Sequence, residues 1–187
     1  MVIPWAVRAW ASRKVCQTER AKALGLKFRN SNQLVAEVIR EFPEDLARFF
    51  RVRVLFDSGF LNKEVVIACK DRDFRFISVA KSNRVFFPFC QSGKHGVSSY
   101  GPGVIRTHGK TIKLPGYRGT AKFRIATRTG HMHGIGMVQV VFSKRQSDGS
   151  FVALVTDDTD LPAGDGVIGY RGRWPIEVTL KILKQCL

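Results

Sequence analysis

Acidic residues are scarce in this chain of 187 residues, which has 15 Asp and Glu against 31 Lys and Arg and a formal net charge of +16. The shortage is concentrated between residues 74 and 147, which include 13 Lys or Arg and no Asp or Glu. Solubilising surface charge normally mixes both signs, so an acid-free stretch of this length favours a polyanionic partner. Nucleic acid is the leading candidate.

Cysteines are few and long hydrophobic runs are missing. The four cysteines are scattered and form no C-x-x-C pair, which predicts free thiols in a reducing compartment. The apolar start of the chain is broken by Arg8 and is too short for a signal peptide. No stretch approaches the roughly 18 apolar residues that a spanning helix needs. We therefore expect a cytoplasmic, nucleoid-associated protein with no membrane contact.

Hydrophobic periodicity predicts an α/β organisation for residues 1–80. Within it, the amphipathic segment 32–42 should be a helix with Ser31 or Asn32 as its cap. The order strand, helix, strand at residues 51–80 predicts a parallel, right-handed crossover. The predicted elements are a strand at 2–10, a basic loop at 13–29, a helix at 32–42, a strand at 51–56, a helix at 62–72 and a strand at 74–80.

The acid-free segment has the texture of an antiparallel sheet, with short β-type runs separated by Gly, Pro, Ser and His. A closing helix should follow, with Pro162 in its first turn and a bend at Pro175. The predicted strands are 84–89, 111–114, 121–127, 136–142 and 151–155. We therefore divide the chain into a first region at 1–80, a basic β-rich insertion at 81–156 and a C-terminal helix region at 157–187.

Four residues near the C-terminus form the pattern Y-x2-R-x3-E-x6-K, namely Tyr170, Arg173, Glu177 and Lys184. At about 100° per residue these side chains fall in one stripe of a helix, and Lys181 joins the same stripe. A carboxylate flanked by cations on one face is unusual for a solvated helix. It is what metal-dependent cleavage of a phosphodiester requires.

The run YRGRWPIEVTLKILKQ, with VRVLFDSGF upstream and FRFISVAKSNR between, resembles the DDE transposases of bacterial insertion sequences, in the branch marked by this Tyr, Arg, Glu, Lys pattern. The resemblance implies a ribonuclease-H-like α/β core, a mixed sheet with helices, interrupted by a β-rich antiparallel insertion. It also implies that the core ends in the helix with the catalytic glutamate. By this correspondence Asp57 is the second catalytic acid and Glu177 the third.

The resemblance further implies DNA cleavage at transposon ends and joining to target DNA, in an enzyme that can act as a homodimer. Two Mg²⁺ or Mn²⁺ ions would bind to Asp57 and Glu177, because these hard cations prefer oxygen ligands. The hydroxyl and cations of the motif suit DNA phosphates. The expected DNA-binding residues are Tyr170, Arg173, Lys181 and Lys184.

A second group of candidates, Lys81, Asn83 and Arg84, follows the end of a predicted core strand, a common position for function in α/β sheets. A solvated loop remains the alternative. Three aspartates, Asp157, Asp158 and Asp160, suit turn and cap positions better than metal binding.

Other side chains of the predicted insertion are also better explained without a ligand. His131 and His133 lack a third ligand and fit surface histidines better than a zinc site. Some members of the branch flip a base onto an aromatic ring, but the predicted insertion has no Trp. Its aromatic candidates, Phe86, Phe87, Phe89 and Tyr100, are more typical of core residues.

The chain departs from the family pattern at the first catalytic acid. The only aspartate before Asp57 is Asp45, and no acid lies at a plausible strand position there. We therefore expect a truncated transposase that lacks two strands and one metal ligand and is inactive alone. The alternative is a non-catalytic, basic DNA-binding protein in which Asp57 and Glu177 are structural acids. A phosphate-binding NTPase is disfavoured, since no G-x-x-x-x-G-K-[ST] loop is present.

Overall fold

The computed structural model describes residues 11–116 and 119–173. The described residues form seven helices and eight strands. The helices are α1 (Arg13–Cys16), α2 (Glu19–Ala23), α3 (Ser31–Arg40), α4 (Glu44–Phe49), α5 (Lys63–Asp71), α6 (Val97–His108) and α7 (Ala163–Arg171). The strands are β1 (Arg53–Phe56), β2 (Arg75–Val79), β3 (Val85–Pro88), β4 (His95–Gly96), β5 (Lys110–Gly116), β6 (Gly119–Met132), β7 (Gly136–Arg145) and β8 (Phe151–Thr156).

All eight strands belong to one sheet with the order β1-β2-β8-β7-β6-β3-β4, and β5 pairs with β6 off this path. Strands β1 and β2 are parallel, with Leu55 opposite Ile77, which confirms the parallel connection through α5. The other pairs are antiparallel, as the pattern of short β-type runs predicts. The fold is therefore a mixed α/β sheet with helices, as expected for a ribonuclease-H-like core with an antiparallel block.

Strand β8 joins the two parts of the sheet. Its residue Val155 pairs with Ser78 of β2 on one side and with Val140 of β7 on the other. The antiparallel block is thus continuous with the parallel pair, although it follows that pair in the chain. The division at residues 80 and 156 remains a prediction.

Two apolar clusters fill the faces of the sheet. One includes Ala36 of α3, Val65 of α5 and Val104 of α6, so these three helices cover the same core. The other includes Ile77, Val141 and Leu154 with Val167 of α7. Helix α7 is therefore held against one face of the sheet by buried apolar surface, worth about 25 cal/mol per Å² removed from water. This packing sets the position of the residues at its C-terminal end.

Helix α6 is absent from the sequence prediction, because Gly101, Pro102 and Gly103 suggest a loop. The apolar spacing of Val97, Gly101, Val104 and Ile105 overrides that signal, since these residues are buried on one side of the helix. A Cβ at Gly101 would lie 2.5 Å from ring atoms of Phe142 and Phe151. The glycine thus permits the close approach of α6 to the sheet.

The N-terminal part also differs from the prediction in two places. The segment 13–29, predicted as a basic loop, contains the short helices α1 and α2, each with a side-chain N-cap. The cap of α3 is Asn30, which forms a capping box with Gln33, and the prediction of Ser31 or Asn32 is wrong. The predicted strand at 2–10 lies outside the described residues. No helix of the described ranges is long and apolar enough to cross a membrane.

Candidate functional site

Asp57 lies directly after β1, where the parallel strands end. The backbone carbonyl of Asp57 accepts hydrogen bonds from the amide of Phe60, at 2.9 Å, and from Oγ of the buried Ser78 in β2, at 3.3 Å. These bonds attach the turn at residues 57–60 to the neighbouring strand. The carboxylate itself remains 52% exposed, so it can reach a ligand from solvent.

Helix α7 brings two residues of the C-terminal motif to this carboxylate. The hydroxyl of Tyr170 donates to Oδ1 of Asp57 at 3.3 Å, and Nη1 of Arg173 donates to Oδ2 at 3.0 Å. Tyr170 lies in the last turn of α7, and Arg173 follows the C-cap residue Gly172. The guanidinium of Arg173 also lies 5.6 Å from the centre of the Tyr170 ring. Residues 113 positions apart in the chain thus form one polar cluster.

The electrostatics of this cluster favour a neutral phenol. Burial raises the pKa of Tyr170, and the Asp57 charge raises it further, whereas Arg173 opposes both effects. Tyr170 is therefore a hydrogen-bond donor at neutral pH. A phosphate oxygen near the cluster would compete with the Asp57 carboxylate for the same two donors, because both are anionic acceptors.

Lys81, Asn83 and Arg84 line one open cavity of about 440 Å³ with Val85, Phe87 and His133, called here the β3 cavity. The guanidinium of Arg84 donates to the carbonyl of Leu61, which connects the start of β3 to the loop that follows Asp57. The loop that follows Asp57 is therefore bonded to Arg84, which lines the β3 cavity. Phe87 and His133 are both exposed here, whereas the sequence suggested a core position for Phe87 and a surface position without a ligand for His133.

Tyr170 and Arg173 are the two residues of the C-terminal motif that the structure describes. Glu177, Lys181 and Lys184 lie outside the described residues, as do Trp174 and Pro175. Tyr170 and Arg173 reach the same carboxylate, and the prediction of one helical stripe that continues to Lys184 stays a prediction. Helix α7 ends at Arg171, before the stripe is complete in the described range.

Most of the chain matches a known protein family. The model of the family described as the Transposase DDE domain matches residues 27–187, which include Asp57, the β3 cavity and the whole C-terminal motif. The chain belongs to this transposase family. The match covers the antiparallel block as well as the parallel pair. No curated protein matches the chain.

Divalent metal ions are typical of DDE transposases, and the described residues supply only part of such a site. Asp57 has the oxygen donors that Mg²⁺ and Mn²⁺ prefer, and it is exposed. Within the described ranges, however, no group of three or more His, Cys, Asp or Glu side chains could hold a metal ion together. Asp57 therefore suits one ligand position, and both its oxygens already accept hydrogen bonds.

The aspartates after β8 have structural partners. Oδ1 of Asp157 accepts from the amide of Phe76 at 2.9 Å, and Asp158 pairs with Arg53 at 2.7 Å. Burial raises the pKa of Asp157 despite the bond from Phe76 and the nearby cation of Arg75. Both side chains thus fasten β8 to β1 and β2. Neither caps α7, whose N-cap is Pro162.

The aromatic candidates separate by burial. Phe86 is fully buried in the core, as the sequence predicts for these aromatic residues. Phe87 and Phe89 are 39% and 66% exposed, so both rings can contact a partner. Phe89 and Tyr100 line another open cavity, of about 650 Å³, together with Arg128. His131 and His133 are both exposed, as expected of surface histidines.

Proposed function

We propose that this chain is the catalytic domain of a DDE transposase, which cleaves DNA at transposon ends and joins it to target DNA. The supporting observation is the meeting of Asp57 with Tyr170 and Arg173 at the end of the parallel strands, within a match to the transposase family. Composition supports the polyanionic substrate, since residues 74–147 contain no acid.

In this proposal Asp57 and Glu177 hold the divalent ions, Mg²⁺ or Mn²⁺. Bound metal would stabilise negative charge on the reacting phosphate and lower the pKa of an attacking water. The cluster then has two arrangements. Without DNA, Tyr170 and Arg173 bind the Asp57 carboxylate, and with DNA the same donors turn to a phosphate and leave the carboxylate to the metal.

DNA would extend from the Asp57 cluster to the β3 cavity. Lys81, Asn83 and Arg84 would bind the backbone there, and Lys181 and Lys184 would add phosphate contacts next to Glu177. We further propose that the chain alone is inactive and needs one more acid. Strand β1 pairs only with β2 among the described residues, so its second edge can accept a strand that brings this ligand next to Asp57.

A second function, non-catalytic DNA binding, is favoured by one observation. Both oxygens of Asp57 are bonded to Tyr170 and Arg173, which is also what a structural acid would do. In that case Asp57 and Glu177 would only pair with neighbouring cations, and metal would be irrelevant.

Metal dependence of DNA binding separates the two functions. We expect Mn²⁺ or Mg²⁺ to strengthen the binding of transposon-end DNA by the purified chain, and Glu177→Ala to remove this effect. Fluorescence anisotropy at fixed ionic strength measures both. Binding that depends on salt but is indifferent to metal and to Glu177→Ala would favour the non-catalytic function. Mn²⁺-dependent cleavage that persists in Asp57→Ala would contradict the site.

A further inference from the structure

The turn between β6 and β7 lies next to two basic cavities. His131, close to the end of β6, lines a cavity of about 300 Å³ with Lys63, Val66, Ile67, Lys70 and residues 134–136, called here the α5 cavity. His133, the first residue of the turn, lines the β3 cavity. One short turn thus brings a histidine to each cavity, and both histidines are exposed.

This turn contacts α5 through Lys70 and the core residue Ile135. Nζ of Lys70 donates to the carbonyl of Ile135 at 3.4 Å, and the Ile135 side chain is only 5% exposed in the core. Gly134 and Gly136 have φ of 73° and 105°, values that glycine adopts without strain. A Cβ at Gly136 would also lie 3.3 Å from Nζ of Lys70. The lysine and the turn are therefore fitted closely to each other.

Positive charge predominates in both cavities. Among the described residues that line them, none is Asp or Glu. Among the described residues, neither the two lysines of the α5 cavity nor Lys81 and Arg84 form a salt bridge. Asp157 lies near enough to Lys70 for this charge to lower its pKa, which burial raises. A cavity of this kind favours an anion, and phosphate groups are the anions of a nucleic acid.

We propose that the α5 cavity is a further phosphate-binding site, in which Lys63, Lys70 and His131 bind one phosphate of the nucleic acid. His133 adds its imidazole to the cations of the β3 cavity on another phosphate. The proposal rests on the nucleic-acid function proposed above and extends its surface across the β6–β7 turn.

The test compares a variant of the α5 cavity, Lys63→Gln with His131→Gln, with a control variant, Lys14→Gln. Lys14 is an exposed residue of α1 that lies outside both cavities and outside the acid-free segment 74–147. The affinity for a labelled DNA duplex is measured by fluorescence anisotropy over a salt series at fixed pH. We expect the slope of log affinity against log salt to fall by about 0.9 in the first variant, as for one lost phosphate contact.

The control variant should keep the slope of the unmodified chain. Equal slopes in the two variants would overturn the proposal while leaving the DNA-binding function intact. A chain that shows no salt-dependent DNA binding would instead refute that function. If the double variant fails to fold, Lys63→Gln alone, an exposed position at the start of α5, gives the same slope measurement.

Discussion

Replacement of Asp57 by Asn tests whether the Asp57 cluster changes partners when DNA binds. The variant keeps the shape of the side chain and removes its charge, so Arg173 loses its anionic partner at 3.0 Å. Asp57 is 52% exposed and Arg173 is 23% exposed, so solvent screens the pair. Exposed pairs of this kind contribute about 0.2–1 kcal/mol.

If DNA must displace the carboxylate from its donors, that energy is recovered in the variant. We therefore expect Asp57→Asn to bind DNA up to about five times more tightly than the unmodified chain in the absence of metal. With Mn²⁺ the order should reverse, because only the unmodified chain has the Asp57 carboxylate as a metal ligand. Fluorescence anisotropy with and without Mn²⁺ measures both effects, and thermal unfolding confirms that the variant is folded.

Asp148→Asn is the matched control. Asp148 is 50% exposed and pairs with Arg145 at 3.4 Å, in the turn between β7 and β8. It should alter DNA affinity only through the net charge and should leave the Mn²⁺ effect unchanged. The exchange of partners at Asp57 is refuted if the two variants behave alike, or if Asp57→Asn weakens metal-free binding.

Three further changes test the packing and the buried groups. Gly130→Ala should destabilise the fold by about 1–3 kcal/mol in chemical denaturation, because its Cβ would lie 2.2 Å from the carbonyl oxygen of Phe87; an unchanged midpoint would contradict this. Burial raises the pKa of Asp157, so the folded protein binds a proton there more tightly than the unfolded chain does. The stability that this proton contributes is complete below the ordinary pKa of 3.8 and is lost as the pH rises through the folded-state pKa. The free energy of unfolding should therefore decrease less steeply with rising pH in Asp157→Asn than in the unmodified chain. An equally steep decrease in the two proteins would contradict the raised pKa. Burial, with the charge of Asp157, raises the pKa of Cys69 to about 12, so alkylation of the native protein should modify the exposed Cys90 and spare Cys69 in peptide mass spectrometry.

Local patterns in the chain were enough for most of the fold. The helix at Lys63–Asp71 follows its cap Asn62, whose Oδ1 accepts from the amides of Glu64 and Val65. The strands β1 and β2 lie within two residues of their predicted bounds, because each is an apolar run that ends at turn residues. The prediction failed at α6, where the glycines that suggest a loop are required by close packing on Phe142 and Phe151. A contact between distant residues cannot be inferred from local propensity.

For the candidate site, too, the sequence identified residues but not the contacts between them. Tyr170 and Arg173 could be named from the C-terminal motif and Asp57 from the family resemblance, and the family match covers all three. Their convergence could not be derived from residues 113 and 116 positions apart in the chain. The sequence named Phe87 and His133 but could not assign them to the β3 cavity, because that cavity forms only when Arg84 binds the loop at Leu61.

Charge distribution, the order of helices and strands, and the residue types needed for phosphodiester chemistry are all written locally in these 187 residues. Each depends on composition or on short-range periodicity, which neighbouring residues specify directly. The joining of β8 to β2, the seating of α7 on the sheet and the basic cavities around the β6–β7 turn arise only in the folded chain. They depend on strand pairing and apolar burial between distant segments, and these interactions exist only once the whole sheet has formed.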